Sequence, residues 1–297
     1  MTQTRHDFGR PSRVVGFALC LLLAGYAGTA PAPRAAGTAQ AEIVLEYKMP
    51  AGQVLRYLGT DEVRETTDRM GETTETVVTG SGTDTFRAKG WKNGNHLLEV
   101  TIDESTLAIS STRGETKPDL KPVIGKSFDM VLSPLGAEVD VSGAEAITFT
   151  SLSGPRSVAA GYKTFFPDLP GQPVRVGDSW TTNSAAEEKA GPLTIRTEIQ
   201  RVNTIEGFEA VGGMDCLRIT AKLTGRVSGS GNAQGTDIKL EGEIKGTDVW
   251  HFAPKEGIFV QSNSDIVNTT TATVTRGQTM TLPTTQKQKK TVKLAGL

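Results

Sequence analysis

Cysteine is nearly missing from this chain. Of its 297 residues only Cys20 and Cys216 are cysteines. Cys20 lies in an apolar run near the N-terminus, which leaves the body one thiol and excludes an internal disulfide. A body of about 250 residues folds without such a staple, because chains of that length bury enough apolar surface on their own. Histidine is also scarce, at three residues, and beyond the N-terminal segment only His96 and His251 remain, too few for a usual zinc ligand set without carboxylates. The chain has no G-x-S-x-G nucleophile elbow and no H-E-x-x-H helix motif. Gly125-Lys126-Ser127 resembles the end of a phosphate loop, but Leu120 occupies the position of the required glycine. No cofactor, metal or catalytic residue is therefore expected. Charge of one sign is lacking too. The formal net charge is -1, and without Arg5, Arg10, Arg13, Arg34 and Asp7 the remainder holds 28 basic against 32 acidic residues. That balance offers no footprint for nucleic acid.

No apolar run is long enough to span a bilayer. The longest, Val14 to Ala24, has about 11 residues and follows Arg5, Arg10 and Arg13. Basic flank, short apolar stretch, small residues and Ala39-Gln40-Ala41 together read as an export leader over residues 1–41. Cys20 is followed by Leu21-Leu22-Leu23, so no lipid attachment is expected there. The body, 42–297, is then a single β-rich domain, exported to the periplasm or the medium, with no stable membrane insertion after leader removal.

Threonine is what the chain has in excess, roughly one residue in eight, and its β-branched side chain suits a pleated, half-exposed surface. From Asp237 to Phe252, Ile238, Leu240, Ile244, Trp250 and Phe252 alternate with Lys239, Glu241, Glu243, Lys245 and His251. This is a long half-buried strand, with Gly242 and Gly246 on its inner face as bend points. Leu217 to Val227 alternates likewise, and Ser228 to Gly235 reads as the connecting hairpin loop. In the N-terminal half, strands are expected at 43–49, at 55–63, at 73–88 and after Asn93-Gly94, the strongest short hairpin signal present. A further pair flanks Ser133 to Gly136. Between the halves, Pro155 followed by Ser157 to Phe166 suggests one or two helical turns, and Ala185 to Ala190 a weaker one. Gly82-Thr-Asp-Thr-Phe86 and Gly246-Thr-Asp-Val-Trp250 resemble each other, as do Met49 to Gln53 and Leu169 to Gln172. Half-repeats over 42–143 and 165–282 are one reading of these matches. The expected fold class is mainly β: long antiparallel strands in a curved sheet or half-barrel, with a short helical segment in the middle.

Among single residues, His96 shares a strand face with Leu98 and Val100 and reads as a core-edge histidine. His251 falls on a charged face and reads as solvated; Cys216 reads as a small core residue. Glu241 with Glu243, and Asp103 with Glu104, read as ordinary strand and turn carboxylates. Lys287, Lys289, Lys290 and Lys293 read as a solvated basic tail.

The run Phe165-Phe-Pro-Asp-Leu-Pro-Gly-Gln-Pro-Val-Arg-Val-Gly-Asp-Ser-Trp180, with Tyr47 to Gly52 and Leu132 to Gly136, resembles a family of exported bacterial all-β proteins of unknown function. The resemblance spans most of 42–280 and implies fold landmarks only. Gly177-Asp178 makes a turn, and Trp180 enters a strand as a core plug. Export, amphipathic strands and the lack of a catalytic constellation favour a binding protein holding a lipid or other hydrophobic small molecule on a concave sheet face. Ranked below it stand an envelope protein-interaction module, with Val267 to Val274 as a pairing edge, and a carboxylate-based hydrolase.

Overall fold

The computed structural model describes residues 41–296 except 70, 113, 152, 153 and 191. The leader predicted over 1–41 lies, up to residue 40, outside the described residues, and Cys20 with it. Among the described residues no helix is long and apolar enough to cross a membrane.

Two meanders build one antiparallel sheet. The first comprises β1 (Val54–Arg69), β2 (Glu72–Lys92), β3 (Asn95–Ser111), the short β4 (Gly114–Thr116), β5 (Ser127–Leu132) and β6 (Glu138–Asp140). A 3-10 turn at Ser142–Ala146, the small hairpin β7 (Thr148–Ser151) and β8 (Gly154–Ser157), and the helical turn α1 (Ala159–Tyr162) follow. The second meander is β9 (Ser179–Ala190), β10 (Leu193–Val211), β11 (Met214–Ala233), β12 (Thr236–Ala253), β13 (Ile258–Arg276) and β14 (Gln278–Leu294). Its last strand pairs with β1, so the spatial order is β6-β5-β3-β2-β1-β14-β13-β12-β11-β10-β9, with β4 beside β3. The sheet is open: β6 and β9 do not pair, and the expected mainly β, curved antiparallel class is what the chain adopts.

Tight turns set the register. Asn93 and Gly94 both have positive φ, 52° and 77°, the left-handed pair that a two-residue hairpin turn demands. Gln234 and Gly235 do the same between β11 and β12, at 51° and 79°. The loop expected over 228–235 is thus two residues long. Ser228 to Ala233 continues as strand because β12 supplies partners throughout and β10 as far as Gly231.

Strands here run far beyond the usual five or six residues; β2, with 21 residues, spans about 70 Å. Only one end of each is fully buried. There the inner face carries Leu55, Tyr57, Phe86, Leu98, Val100, Ile219, Trp250 and Phe252. Phe165 and Phe166 wedge against it, packing on Tyr57 and Phe86 at centroid distances of 4.7–6.2 Å. Each such aromatic pair adds about 1 kcal/mol beyond the area it buries. Backbone and side-chain bonds fasten this strap: Tyr47 Oη donates to Pro167 O at 2.9 Å, and Phe166 N to Glu138 Oε1 at 2.8 Å. Trp180 is the plug expected of it, nearly buried, edge-on to Trp250 and donating to Asp168 O.

Several expectations are corrected. Residues 43–49 bury Leu45, Tyr47 and Met49 in alternation but form only an isolated bridge, Ile43 to Val174. Pro155 lies in β8 rather than at a helix start, and the helix begins at Ala159. Ala185 to Ala190 is strand, since pairing with β10 outweighs its alanine and glutamate helix preference. The lysines at 287–293 are no tail, for they lie in β14 at the middle of the sheet. Val267 to Val274 is no edge either: β12 and β14 flank it.

Candidate functional site

Register brings charged residues into one row across the buried face. Asn203 on β10 opposes Ala221, which opposes Asp248 on β12; then follow Ser264 on β13, Lys290 on β14, Asp61 on β1 and Gly80 on β2. Side chains in register point to the same side of a sheet, and this row lies one step above Trp250 and Val292 of the core. Arg201 stands in the next row, opposite Leu223.

Above the core and beneath the Phe165–Asp168 strap, two cavities meet. One, of 250 Å³, is lined by Arg201, Asn203, Asp248, Ser264 and Asp168, with Trp250 as a wall. The other, of 420 Å³, is mostly apolar, with Ile102, Leu107, Leu120, Val123, Phe149 and Val158 in its lining. Phe165, Lys290 and Val292 belong to both.

The carboxylates around Lys290 differ in their surroundings. Gln288 Nε2 donates to both oxygens of Asp61 at 3.0 Å. Asp84 accepts from Tyr162 Oη at 2.7 Å, and burial pushes its pKa up to about 6 while Lys290 pulls it back. Burial also raises Asp248, against the opposing effects of a Ser264 hydrogen bond, Arg201 and Lys290. Asp168 is raised by burial and lowered by Arg201. Asp61 and Asp248 stand three strand spacings apart, about 14 Å along the sheet, wider than the 6.5–9.5 Å or so of an acid–base pair in a glycosidase.

Both aspartates that feel Lys290 come from the Gly-Thr-Asp-x-aromatic matches. In each, the glycine lies on the inner face against the neighbouring strand: a Cβ at Gly82 would come 3.0 Å from Glu104 O, and one at Gly246 2.7 Å from Asp265 O. Two residues after each aspartate the aromatic, Phe86 or Trp250, is 1% exposed. The match thus marks a site as well as a fold pattern. Arg201 was not singled out by the sequence, Lys290 only as part of a basic tail and Asp248 only inside a repeat match, although parity alone places Asp248 with Gly246 and Trp250 on the apolar face of its strand.

The two histidines have different partners. His96 is buried and bonds Tyr47 O through Nε2 at 2.9 Å. His251 is also buried, at 4% exposure, contrary to the solvated position expected: Glu209 meets its Nε2 at 3.0 Å from β10, across β11, and Gln261 its Nδ1 at 3.3 Å from the flanking β13. Cys216 is fully buried, and burial pushes its thiol up to about 11, far from a nucleophile's range. Glu241, Glu243, Asp103 and Glu104 all engage in ion pairs on strands; Asp103 and Glu104 lie inside β3, not at the turn expected of them, because β3 runs on to Ser111. Among the described residues no group of three or more histidine, cysteine or acidic side chains is placed to hold a metal.

Beyond the core the sheet continues with unlike faces. Inside, Ile238 opposes Gly231 and Val274, Leu240 opposes Gly229 and Ala272, and Met280 and Leu282 extend both rows, all partly exposed. Outside stand Lys222, Arg226, Lys239, Glu241, Glu243, Lys245, Lys287 and Lys289, all exposed.

The sequence matches no protein-family model and no curated protein. Among solved structures, similarity is found to an outer membrane channel from Pseudomonas putida F1, at 8% identity over 84% of this chain and 97% of that one, with a TM-score of 0.27. OccK11 of Pseudomonas aeruginosa follows at 10% identity, 84% and 100% coverage and a TM-score of 0.22. The translocator domain of the autotransporter NalP from Neisseria meningitidis stands at 9%, 82% and 88%, with 0.20. At such TM-scores nothing about this chain follows from the likeness.

Proposed function

We propose that this protein is an exported, non-enzymatic binding protein that holds a hydrophobic small molecule on the inner face of its sheet. The observation that carries the reading is the 420 Å³ cavity, whose apolar wall of Ile102, Leu107, Leu120, Val123, Phe149 and Val158 is bordered by Asp61, Asp84, Glu104 and Lys290, lying on the face whose upper rows are half-exposed Ile238, Leu240, Val274, Met280 and Leu282. Its volume falls within the roughly 300–1,000 Å³ of ligand sites. The outer face is charged, while the inner face sets apolar rows on either side of the charged one, a division that suits a carrier. The leader expected at 1–41 would deliver such a carrier outside the cytoplasm. The Thr-rich run does not support the envelope-interaction alternative, because its backbone is already paired on both sides.

Native mass spectrometry of the mature protein, purified from its host's periplasm or medium, tests the reading. A lipid-sized adduct that is lost on denaturation and recovered in an organic extract is the expected result. An adduct-free mass, together with no binding of a fluorescent fatty-acid probe, overturns it.

A further inference from the structure

The smaller cavity has a different chemistry from the larger. Arg201 Nε and Asp248 Oδ1 are both buried, and neither has a hydrogen-bond partner. Their charges act on each other, yet no ion pair within 4 Å joins them, nor does one join Lys290 to any carboxylate among the described residues. A half-buried arginine and aspartate lining one cavity would normally collapse into a bidentate pair. β11 stands between their strands, so the two backbones lie about 10 Å apart, and the side chains do not close that gap. Across this gap the wall is kept low by Ala221 and Gly246, which oppose Asp248 and Leu223. Two opposite charges that form no ion pair with each other thus line one small space.

We propose that the 250 Å³ cavity is a subsite for a zwitterionic group, its anionic oxygens taken by Arg201 and Lys290 and its ammonium by Asp248. The complementary group is an ammonium and an anionic oxygen a few bonds apart. That chemistry occurs in a free small molecule such as phosphoethanolamine and in the head of an aminophospholipid. Because Phe165, Lys290 and Val292 border both cavities, a lipid could place its head here and its chain next door. The lipid source rests on the function proposed above; the free source does not.

Calorimetric titration of the purified protein with O-phosphoethanolamine, and with monomeric dihexanoyl phosphatidylethanolamine, separates these cases, with dihexanoyl phosphatidylglycerol as the head lacking an ammonium. One-to-one binding of an ammonium-bearing probe, at least tenfold weaker in both Arg201→Met and Asp248→Asn, is expected, with the glycerol head bound at least tenfold more weakly. Because Trp250 lines the cavity, its fluorescence should shift with the same saturation. Should either variant fail to fold, Thr182→Leu blocks the cavity from the edge strand β9, leaves both charges in place, and should abolish the same binding. Binding of phosphoethanolamine without any fatty-acid probe keeps the subsite and removes the carrier reading. Fatty-acid binding with no response to phosphoethanolamine, to the ammonium-bearing lipid or to the variants overturns the subsite and leaves the carrier intact.

Discussion

Asp84 shows how one buried carboxyl couples this fold to pH. Its pKa, about 6 in the folded chain against 3.8 ordinarily, means that the folded state holds the proton more tightly than the unfolded one. Stability from this group is therefore complete below about pH 4 and is lost as pH rises to about 6. The shift corresponds to at most about 3 kcal/mol at neutral pH. Asp84→Asn keeps an acceptor for Tyr162 and carries no charge to desolvate. It should stabilise the protein by about 2 kcal/mol at pH 7.5 and by almost nothing at pH 4, read from urea unfolding at both values. Equal effects at the two values would show that burial of the charge is not the cause. Residues of this kind divide by how far sequence parity reaches. His96 and Cys216 were legible, because their neighbours along the strand are apolar. The burial of His251 was not, since it comes from Glu209 and Gln261 on two other strands.

At the scale of strands, alternation located β2, β3, β11 and β12, whose apolar residues recur every second position. It passed over β10 and β14 because their inner faces are interrupted by Arg201, Asn203, Gln286, Gln288 and Lys290, the polar rows that line the site. The same substitutions that form the site hid the strands that carry it. Glycines on the inner face were expected as bend points, but pairing runs through Gly242 and Gly246 without a register shift, and what they allow is close approach of the neighbouring strand. A Cβ at Gly246 would come 2.7 Å from Asp265 O and 3.0 Å from Ile266 Cα, backbone atoms that cannot step aside, whereas one at Gly80 meets nothing closer than 3.5 Å. Gly246→Val should therefore lower stability by about 3 kcal/mol, in the range of overpacked cores. Gly80→Ala should change it by less than about 1 kcal/mol. Similar urea midpoints for the two variants would mean that the strands are not pressed together at Gly246.

The whole sheet depends on one late pairing. Every other pairing in the main sheet joins strands that are neighbours along the chain or separated only by the short β4, but β1 must find β14. Asp61 and Gln288, bonded across that junction, lie 227 residues apart. Closing so long a loop costs chain entropy before any contact rewards it, so pairings of this kind form slowly. Hairpins such as β11–β12, turned by two residues, have no such barrier. Pulse-labelled hydrogen exchange during refolding should find amides of β11 and β12 protected first and those shared by β1 and β14 last. Simultaneous protection would show instead that the two meanders do not form ahead of their junction. The order matters for the site, because β14 carries Lys290 and Val292, which border both cavities, while Arg201 and Asp248 belong to the second meander's own hairpins. A fatty-acid probe added during refolding should consequently gain fluorescence with the β1–β14 amides and not with those of β11–β12. A gain that accompanies the early hairpins would place the apolar ligand outside the cavity that the junction completes.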